Sequence, residues 1–431
     1  MARRGIRRIT VHAMRAIRPF VAALLCIACL PLHARDIAIV GARVVAAPDQ
    51  PAMAQMTVTI RDGRIEAIAP SDQVVLAEDV ERIDAEGMTL VAGFWNSHVH
   101  FIGADALLHS QDHAAEDVQQ ALEQLLTRWG FTTAFEVGGA PGNALALRAR
   151  IASGALRGPL LLTVDAPFYP AGATPVYVRE LYAEGGLPNA EATDATQAAA
   201  RARRQLDAGA DGAKLFAGAI VGGPRGVVPM DQDVARAVVA AAHAQGKRVF
   251  AHPTDRRGIE IAIESGVDVL AHTSPADGPW PDDLAPRLAA RGMALIPTLM
   301  LFDVELRRSA PAPVVEQFRA AAAQQVQAMA QAGGTLLFGT DVGYIGDADP
   351  TREYALLAQA GLDWRAILAS LTTAPADYFG LGARKGRIAP GMDADLVLLR
   401  RAPEADPTAF ADVHMTLRAG QVIHSRQPTA R

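Results

Sequence analysis

The chain has 431 residues, of which half are apolar and a fifth are charged, and its formal net charge is -5. This length and composition exclude a disordered chain and predict a large globular domain with a smaller part added to it. The slightly acidic balance gives no electrostatic reason to expect nucleic acid or an anionic membrane surface as a partner.

The first 34 residues have the pattern of an export signal. Six arginines lie between Arg3 and Arg18, an apolar run follows at 20–30, and Leu32-His33-Ala34 offers a cleavage site. The run is too short to span a bilayer, which takes about 20 apolar residues. We therefore expect an exported, periplasmic protein rather than a secreted or lipid-anchored one. A start at Met14 would leave a more compact signal.

Both cysteines, Cys26 and Cys29, lie within this signal. A protein from which the signal has been removed would contain no thiol. That excludes disulfides, cysteine nucleophiles and cysteine-type zinc sites, so a metal site would have to use other ligands.

The two ends of the chain, residues 35–92 and 385–431, are both rich in short strands. Strand patterns occur at 37–40, 57–60, 64–68, 394–399, 415–417 and 422–423. Asp62-Gly63 is a hairpin signal, and Ala419-Gly420-Gln421 is typical of a turn. Because β-rich ends flank a long middle part, we expect both ends to form one small β-sandwich domain.

The middle part, residues 93–384, alternates apolar strands with helical stretches, which is typical of an α/β fold with a parallel sheet. One helix begins near Asp231, and another has Asp363 as its N-cap and ends before Pro375. Eight strands predict closure into a (β/α)8 TIM barrel. We expect them at 94–97, 132–137, 160–164, 212–216, 248–251, 267–271, 294–298 and 335–339.

In such a barrel, functional side chains gather at the carboxyl ends of the strands. The polar residues at those ends are His98, His100, Lys214, His252, His272 and Asp341. Imidazole and carboxylate ligands suit a divalent metal such as zinc, manganese or cobalt. Such a metal lowers the pKa of bound water and polarises a carbonyl oxygen. Asp341 could then take a proton from the attacking water and pass it to the leaving nitrogen.

Lys214 is one of only three lysines among 41 basic residues. Its ammonium would be repelled by a metal ion, whereas a lysine carboxylated by CO2 becomes a carbamate whose two oxygens can bridge two metals. Arginine could not replace it, because a guanidinium stays charged. The sequence therefore predicts a carboxylated lysine at this position.

Four motifs resemble the amidohydrolase superfamily, and its imidazolonepropionase-like and prolidase-like branch in particular. They are the first-strand motif at 93–100, the lysine motif at 209–214, the last-strand motif Phe338-Gly339-Thr340-Asp341, and the return segment at 386–397. The resemblance extends from about Ile37 to Val422, with the motifs in the expected order.

This resemblance implies a hydrolase with two metal ions. One ion would be held by His98, His100 and Asp341. The other would be held by His252 and His272, with carboxylated Lys214 as the bridge. A hydroxide between the ions would attack the substrate, with Asp341 as general base and then acid. The function that follows is hydrolysis of a C–N bond, an amide or cyclic amide, in a small molecule.

Three alternatives stay open. Dipeptidases of the family carry a Gly-Gly-His stretch after the third strand, and residues 165–172 here contain no histidine. That weakens the prediction of an Xaa-Pro-type dipeptidase. An ester or phosphotriester hydrolase could use the same metals. A non-catalytic binding barrel would be expected to have lost ligands, whereas every ligand position is filled. A homo-oligomer is compatible with the sequence.

Several further residues are candidates for substrate contact. They are expected in loops after strands 3, 4 and 8, and they are Tyr169, Tyr177, Arg225, Tyr344 and Arg352. Glu136 ends the second strand and could either touch substrate or support the site. The glycine-rich stretch 222–226 lacks the context of a phosphate loop and is expected to be a lid. Five histidines are expected to be structural or solvated: His109, His113, His243, His414 and His424.

Overall fold

A computed structural model describes residues 36–184, 187–308 and 310–426. The predicted export signal and both cysteines lie outside these ranges. Within them, no helix has the length and apolar character that a membrane span requires.

The strands and helices follow one another in a regular alternation through the middle of the described chain. The strands are β1 (Ile37–Val44), β2 (Met53–Arg61), β3 (Arg64–Pro70), β4 (Glu81–Asp84), β5 (Thr89–Ala92), β6 (Phe94–Val99), β7 (Phe131–Glu136), β8 (Leu160–Thr163), β9 (Tyr169–Pro170), β10 (Glu191–Ala192), β11 (Gly212–Phe216), β12 (Gly218–Gly222), β13 (Gly226–Pro229), β14 (Arg248–His252), β15 (Val269–Leu270), β16 (Ala294–Leu295), β17 (Thr335–Leu336), β18 (Leu396–Leu399), β19 (Val413–Arg418) and β20 (Gln421–Ser425). The helices are α1 (Asp105–Leu108), α2 (Ala115–Leu125), α3 (Asn143–Ala152), α4 (Arg179–Glu184), α5 (Ala195–Asp207), α6 (Gln232–His243), α7 (Arg256–Ser265), α8 (Leu284–Ala290), α9 (Leu299–Arg307), α10 (Ala312–Gln331), α11 (Thr351–Gln359), α12 (Trp364–Leu371) and α13 (Thr373–Tyr378).

Strands from both ends of the chain form one mixed, eight-stranded sheet. Its order is β20-β19-β18-β5-β1-β2-β3, with β4 paired to β1. The hairpin between β2 and β3 turns at Asp62 and Gly63, whose φ angles of 50° and 75° are those that a two-residue turn of this kind requires. Both ends therefore share one sheet. The predicted β-sandwich is not confirmed, because all eight strands are hydrogen-bonded into that single sheet.

Eight parallel strands from the middle of the chain form two arcs. One arc is β6-β7-β8, and the other is β11-β14-β15-β16-β17. Backbone hydrogen bonds cross both gaps between the arcs. The Ser97 N–H donates to Phe338 O (2.7 Å), and the Asp211 N–H donates to Thr163 O (2.6 Å). With helices between successive strands, this is a TIM-barrel-like α/β fold.

The predicted helix starts are confirmed at both aspartates. The Asp231 side chain accepts the N–H groups of Asp233 and Val234 at the start of α6. The Asp363 side chain accepts the N–H of Ala366 at 2.8 Å and so caps α12. Three barrel strands, β15, β16 and β17, are two residues long and shorter than predicted. After β16 the chain meets Pro297, which has no N–H to continue the sheet.

The barrel and the terminal sheet share part of their core. Val397 and Leu399 of β18 and the nearby Phe410 are fully buried in the same apolar cluster as Phe94 of β6. The rings of Phe94 and Phe410 meet edge to face, with centroids 5.8 Å apart. The return segment at the end of the chain is therefore part of the barrel's support.

Candidate active site

The six donor residues predicted from the sequence line one cavity of about 310 Å3. Five of them stand near or beyond the carboxyl end of a barrel strand, which is where loops leave a (β/α)8 barrel and sites are built, and Lys214 is in the middle of β11. His98 lies within β6 and His100 follows it, His252 ends β14, His272 comes after β15 and Asp341 after β17.

Three short contacts of the site converge on the Asp341 carboxylate, and the Nε2 atoms of His98 and His100 lie 3.2 Å apart. Its Oδ1 lies 3.1 Å from His100 Nε2 and 3.5 Å from His98 Nε2. Its Oδ2 lies 3.7 Å from His272 Nε2. His98, His272 and Asp341 each offer a donor atom, and these atoms lie within 4.8 Å of one another, which is close enough for one metal ion.

The other two donors, Lys214 and His252, lie on the paired parallel strands β11 and β14. The His252 ring stacks on Phe216, with centroids 4.6 Å apart, and its centroid is 4.5 Å from that of His272. Burial lowers the pKa of Lys214 to about 7, against the attraction of Asp341 and Glu136. Near neutral pH, a large share of this lysine is therefore the neutral amine, the nucleophilic form.

Burial also sets the state of the imidazoles. It lowers the pKa values of His98, His252 and His272 well below the ordinary range, and nearby cationic groups act in the same direction. These rings are neutral at pH 7 and keep a lone pair for a metal. At His100, burial acts to lower the pKa, but the nearby carboxylate of Asp341 outweighs burial and raises it.

Neighbouring groups orient two of the rings. His100 Nδ1 lies 2.6 Å from Gly138 O, so Nδ1 carries the proton and Nε2 is left for a cation. His272 Nδ1 lies 2.8 Å from Thr298 Oγ1. Buried Glu136 accepts the N–H of Gly138 (3.1 Å) and the hydroxyl of Thr163 (2.7 Å). Glu136 is not among the residues that line the cavity, so it acts through the turn that holds His100.

The donor set fits divalent metal ions. Two buried atoms of the set, His98 Nδ1 and Asp341 Oδ1, have no hydrogen-bond partner. Buried polar atoms in native proteins are nearly always paired, and an unpaired one calls for a missing ion, water or ligand. Neutral imidazoles and a carboxylate are donors that bind zinc, manganese or cobalt.

Family comparison agrees with this chemistry. The model of the family described as "Amidohydrolase family" matches residues 89–423. The chain belongs to the amidohydrolase family. This confirms the predicted resemblance and the predicted enzyme class, a hydrolase that acts on carbon–nitrogen bonds.

Two curated relatives of this amidohydrolase match it over short regions. "Amidohydrolase tasK" of Hapsidospora irregularis is 58% identical over 38 residues, which are 9% of this chain and 4% of that protein. "Uncharacterized protein Mb2939c" of Mycobacterium bovis is 26% identical over 203 residues, which are 44% of this chain and 52% of that protein. The chain therefore spans about half the length of the second relative and a small part of the first.

Solved structures share the fold at low sequence identity. A crystal structure described as a Xaa-Pro dipeptidase with bound methionine in the active site has a TM-score of 0.75 and 20% identity, covering 90% of this chain and 99% of that chain. The structure of phenylurea hydrolase B has a TM-score of 0.72 and 19% identity, covering 90% of this chain and 96% of that chain. At these identities, the likeness shows the common fold.

Three of the five predicted substrate contacts line the cavity of the amidohydrolase: Tyr169, Tyr177 and Tyr344. The rings of Tyr177 and Tyr344 meet at 64°, with centroids 5.4 Å apart. The Tyr177 hydroxyl is buried and has no hydrogen-bond partner. Arg225 is not among the lining residues. It lies in the turn of the β12–β13 hairpin, and its Nη1 donates to Gly172 O at 2.8 Å.

The prediction that Arg352 lies in a loop is wrong. α11 begins at Thr351, so Arg352 is helical, and its Nε donates to the buried Asp303 of α9 at 3.0 Å. Asp349 accepts the N–H of Thr351 just before the helix, a start signal that the loop interpretation overlooked.

Sequence reasoning missed one wall of the cavity. Helix α9 contributes Leu301, Phe302, Glu305 and Leu306, and α10 contributes Phe318. The four residues of α9 follow the spacing of one helix face, but that spacing alone does not tell a cavity wall from an ordinary core contact.

Proposed function

We propose that this protein hydrolyses a C–N bond of a small molecule, an amide or a cyclic amide, in the cavity that the six donors line. One observation carries the proposal. Four imidazoles, a carboxylate and an amine, drawn from five different barrel strands, all border the same 310 Å3 cavity. Such a donor set suits metal-assisted hydrolysis.

The six side chains would hold two divalent metal ions, zinc in the first place and manganese or cobalt as alternatives. One ion would be held by His98, His100 and Asp341. The other would be held by His252 and His272, with Lys214 shared between the two. Bound metal ions of this kind lower the pKa of water and polarise a carbonyl oxygen.

Lys214 would take part as a carbamate. Its neutral Nζ attacks the carbon of CO2, a nitrogen–carbon bond forms, and one proton is released to solvent, which leaves an anionic carbamate. The change replaces an ammonium, which metal ions would repel, with two anionic oxygens. Carbon-13 NMR of the metal-loaded protein in labelled bicarbonate tests this step. We expect one carbamate signal that is absent from the Lys214→Ala variant.

Asp341 would move the proton of the reaction. Its carboxylate accepts a proton from the attacking water as the carbon–oxygen bond forms. It then donates that proton to the nitrogen as the carbon–nitrogen bond breaks. The side chain is suited to this role because it is 5% exposed, lines the cavity, and has an Oδ1 without a hydrogen-bond partner.

Tyr177 would donate a hydrogen bond to the substrate carbonyl oxygen, on which negative charge grows as water adds. Burial raises the pKa of Tyr177 well above its usual value, and Tyr344 and Asp341 act in the same direction. The phenol therefore keeps its proton and stays a donor. Tyr344 would hold the Tyr177 ring through their edge-to-face contact, and Tyr169 would shape the adjoining wall.

An Xaa-Pro-type dipeptidase of the prolidase-like branch is the second candidate function, favoured by the fold shared with a structure described as a Xaa-Pro dipeptidase. Phenylurea hydrolase B has the same fold, and its name describes a substrate that is not a peptide. That favours the first candidate function, hydrolysis of an amide or cyclic amide in a small molecule. Ester or phosphotriester hydrolysis on the same site is the third.

A substrate panel separates these functions. Metal-loaded protein is assayed with anilides, a cyclic amide, an Xaa-Pro dipeptide, an ester and a phosphotriester. We expect the highest kcat/KM for an amide or cyclic amide. In the folded Asp341→Asn variant, we expect a loss of about 10²- to 10⁴-fold in kcat, the usual contribution of a general acid–base group. Turnover of only esters or phosphotriesters, or an unimpaired variant, would contradict the proposal.

The domain organisation of the chain and its export are also proposals. Residues 93–384 would form a closed eight-stranded barrel, which is supported by the hydrogen bonds across both gaps. Residues 35–92 and 385–431 would form a small domain around the eight-stranded sheet that both ends share. Residues 1–34 would be removed on export to the periplasm. N-terminal sequencing of the exported protein tests this last step, and a mature chain that still contains Cys26 would refute it.

A further inference from the structure

We propose that the substrate is a neutral amide whose apolar group packs against α9 and α10, and that molecules with a free carboxylate bind poorly. This inference rests on the proposed C–N hydrolysis and adds the class of substrate. It uses the walls of the cavity rather than the donors at its base.

The charges around the cavity offer no partner to a substrate carboxylate. Among the described residues that line it there is no arginine, and Lys214 is the one lysine. Lys214 is 1% exposed and belongs to the donor set. A carboxylate placed against the walls, away from the donors and the metal ions that they would hold, would lose its hydration without gaining a cation, which is unfavourable.

Glu305 strengthens this discrimination. Within the described part of the chain it is the one charged lining residue outside the donor set, and its side chain is 39% exposed, so it faces both solvent and cavity. Arg308 pairs with it at 2.9 Å but is itself 62% exposed and does not line the cavity. An exposed pair of this kind is weak, so the cavity side of Glu305 stays repulsive to an anion.

The apolar wall begins next to the donors. The Phe302 ring centroid lies 6.3 Å from that of His272, at 80°. Leu301, Leu306 and Phe318 extend the apolar surface away from it. An apolar substituent of an amide bound at the donors would therefore lie against Phe302, where burial of apolar area favours binding.

A second cavity, of about 230 Å3, borders the other side of this wall. Phe302, Leu306 and Phe318 line both cavities. These three side chains therefore limit the length of an apolar group that the site accepts. Removing the Phe318 ring would connect the two spaces, so Phe318→Ala should extend the length of apolar group that the site accepts.

Matched anilides test the inference on the metal-loaded enzyme. Acetanilide is neutral, para-acetamidobenzoate adds one carboxylate to its ring, and para-butylacetanilide lengthens the same ring with an apolar chain. We expect kcat/KM for acetanilide to exceed that for para-acetamidobenzoate at least about tenfold, the cost of an unpaired carboxylate. Phe302→Ala should raise the Michaelis constant for acetanilide about tenfold or more through lost apolar contact. Phe318→Ala should raise kcat/KM for para-butylacetanilide relative to acetanilide.

The charge variant has a matched control. Glu305→Lys should lower the Michaelis constant for para-acetamidobenzoate relative to that for acetanilide. Glu116→Lys makes the same charge change at an exposed residue of α2 that does not line the cavity. It should leave the ratio of the Michaelis constants for the two substrates unaltered. Thermal melting identifies variants that fail to fold. If Phe302→Ala does not fold, Phe302→Leu takes its place, and we expect a smaller rise in the Michaelis constant for acetanilide.

Calorimetric binding of the same ligands to the Asp341→Asn variant measures whether the cavity prefers neutral ligands to carboxylates, without turnover. Tighter binding of para-acetamidobenzoate than of acetanilide, or an unchanged Michaelis constant in folded Phe302→Ala, would overturn the inference while leaving C–N hydrolysis intact. Absence of turnover with every amide, together with preferred binding of acetanilide, would refute the proposed function and support the apolar wall.

Discussion

Two side chains that line the cavity, Asp341 and Tyr177, keep buried oxygen atoms without a hydrogen-bond partner. Leaving a buried polar group unpaired costs about 1–3 kcal/mol. Folding has therefore left these groups unsatisfied where a ligand could pair them. Polar atoms in this state are more informative about function than the many paired ones, such as His424, which bonds Glu123 at 2.8 Å.

Tyr177→Phe removes one oxygen atom and so tests whether the Tyr177 hydroxyl donates a hydrogen bond to the substrate. We expect kcat to fall by about 10²- to 10³-fold, the usual effect of removing one donor to a developing oxyanion, with little change in KM. The melting temperature should stay the same or rise, because the lost hydroxyl has no partner in the folded protein. A merely structural tyrosine would instead show a lower melting temperature and normal kcat.

Tyr354→Phe is the matched control for that experiment. The Tyr354 hydroxyl is also buried without a partner, but Tyr354 does not line the cavity. Its variant should keep the parent kcat. Equal losses of kcat in both variants would show that Tyr177 has no special role in the reaction.

Among the elements, α9 joins the donor site to the apolar wall. Thr298, just before the helix, has a left-handed φ of 47° and meets His272 through its hydroxyl. Glu353 of α11 accepts the N–H groups of Leu299 (3.0 Å) and Met300 (2.6 Å), the first two residues of α9. A shift of α9 would therefore move both a histidine and the wall.

The stability that Glu353 contributes at the start of α9 depends on pH. Burial raises the pKa of Glu353 from 4.5 to about 7, although its two backbone hydrogen bonds act to lower it. The folded state thus binds this proton more tightly than the unfolded chain does. The resulting stability is complete below about pH 4.5 and is lost as the pH rises to about 7.

Glu353→Gln removes this titration and keeps the shape of the side chain. We expect the unfolding free energy of the parent, relative to the variant, to fall between pH 4.5 and pH 7 and to be level above. Urea unfolding at a series of pH values measures it. Glu136, whose pKa burial also raises to about 7, titrates in both proteins and cancels in the difference. A difference that is level, or that rises with pH, would contradict the assignment.

Helix starts and strand faces were predictable from the sequence, because the residues that set them are close together in the chain. Asp231 and Asp363 were recognised as helix starts because an N-cap acts within three residues. The pairing of His98 and His100 is equally local, because residues two apart in a strand point to the same side. The wall of α9 and the contact between Thr298 and His272 depend on packing between distant segments, and no single-sequence pattern shows them.

For the molecule as a whole, the arrangement of the site follows from the fold. His252, His272 and Asp341 are far apart in sequence and meet only because their strands lie side by side in a TIM-barrel-like sheet. The sheet in turn rests on the returning C-terminal segment, since β18 pairs with β5 just before the first barrel strand. The motif order allowed this arrangement to be expected, whereas the carbamate on Lys214 stays a prediction, because a covalent modification is not visible in the position of a side chain.

Metal analysis of the purified protein, with and without Lys214→Ala, tests the central claim most directly. Lys247→Ala is the matched control, because Lys247 is a partly exposed lysine outside the cavity. We predict about two divalent ions per chain in the parent and in Lys247→Ala, and fewer in Lys214→Ala. One ion or none in a fully active parent would contradict a site of two metals bridged by Lys214.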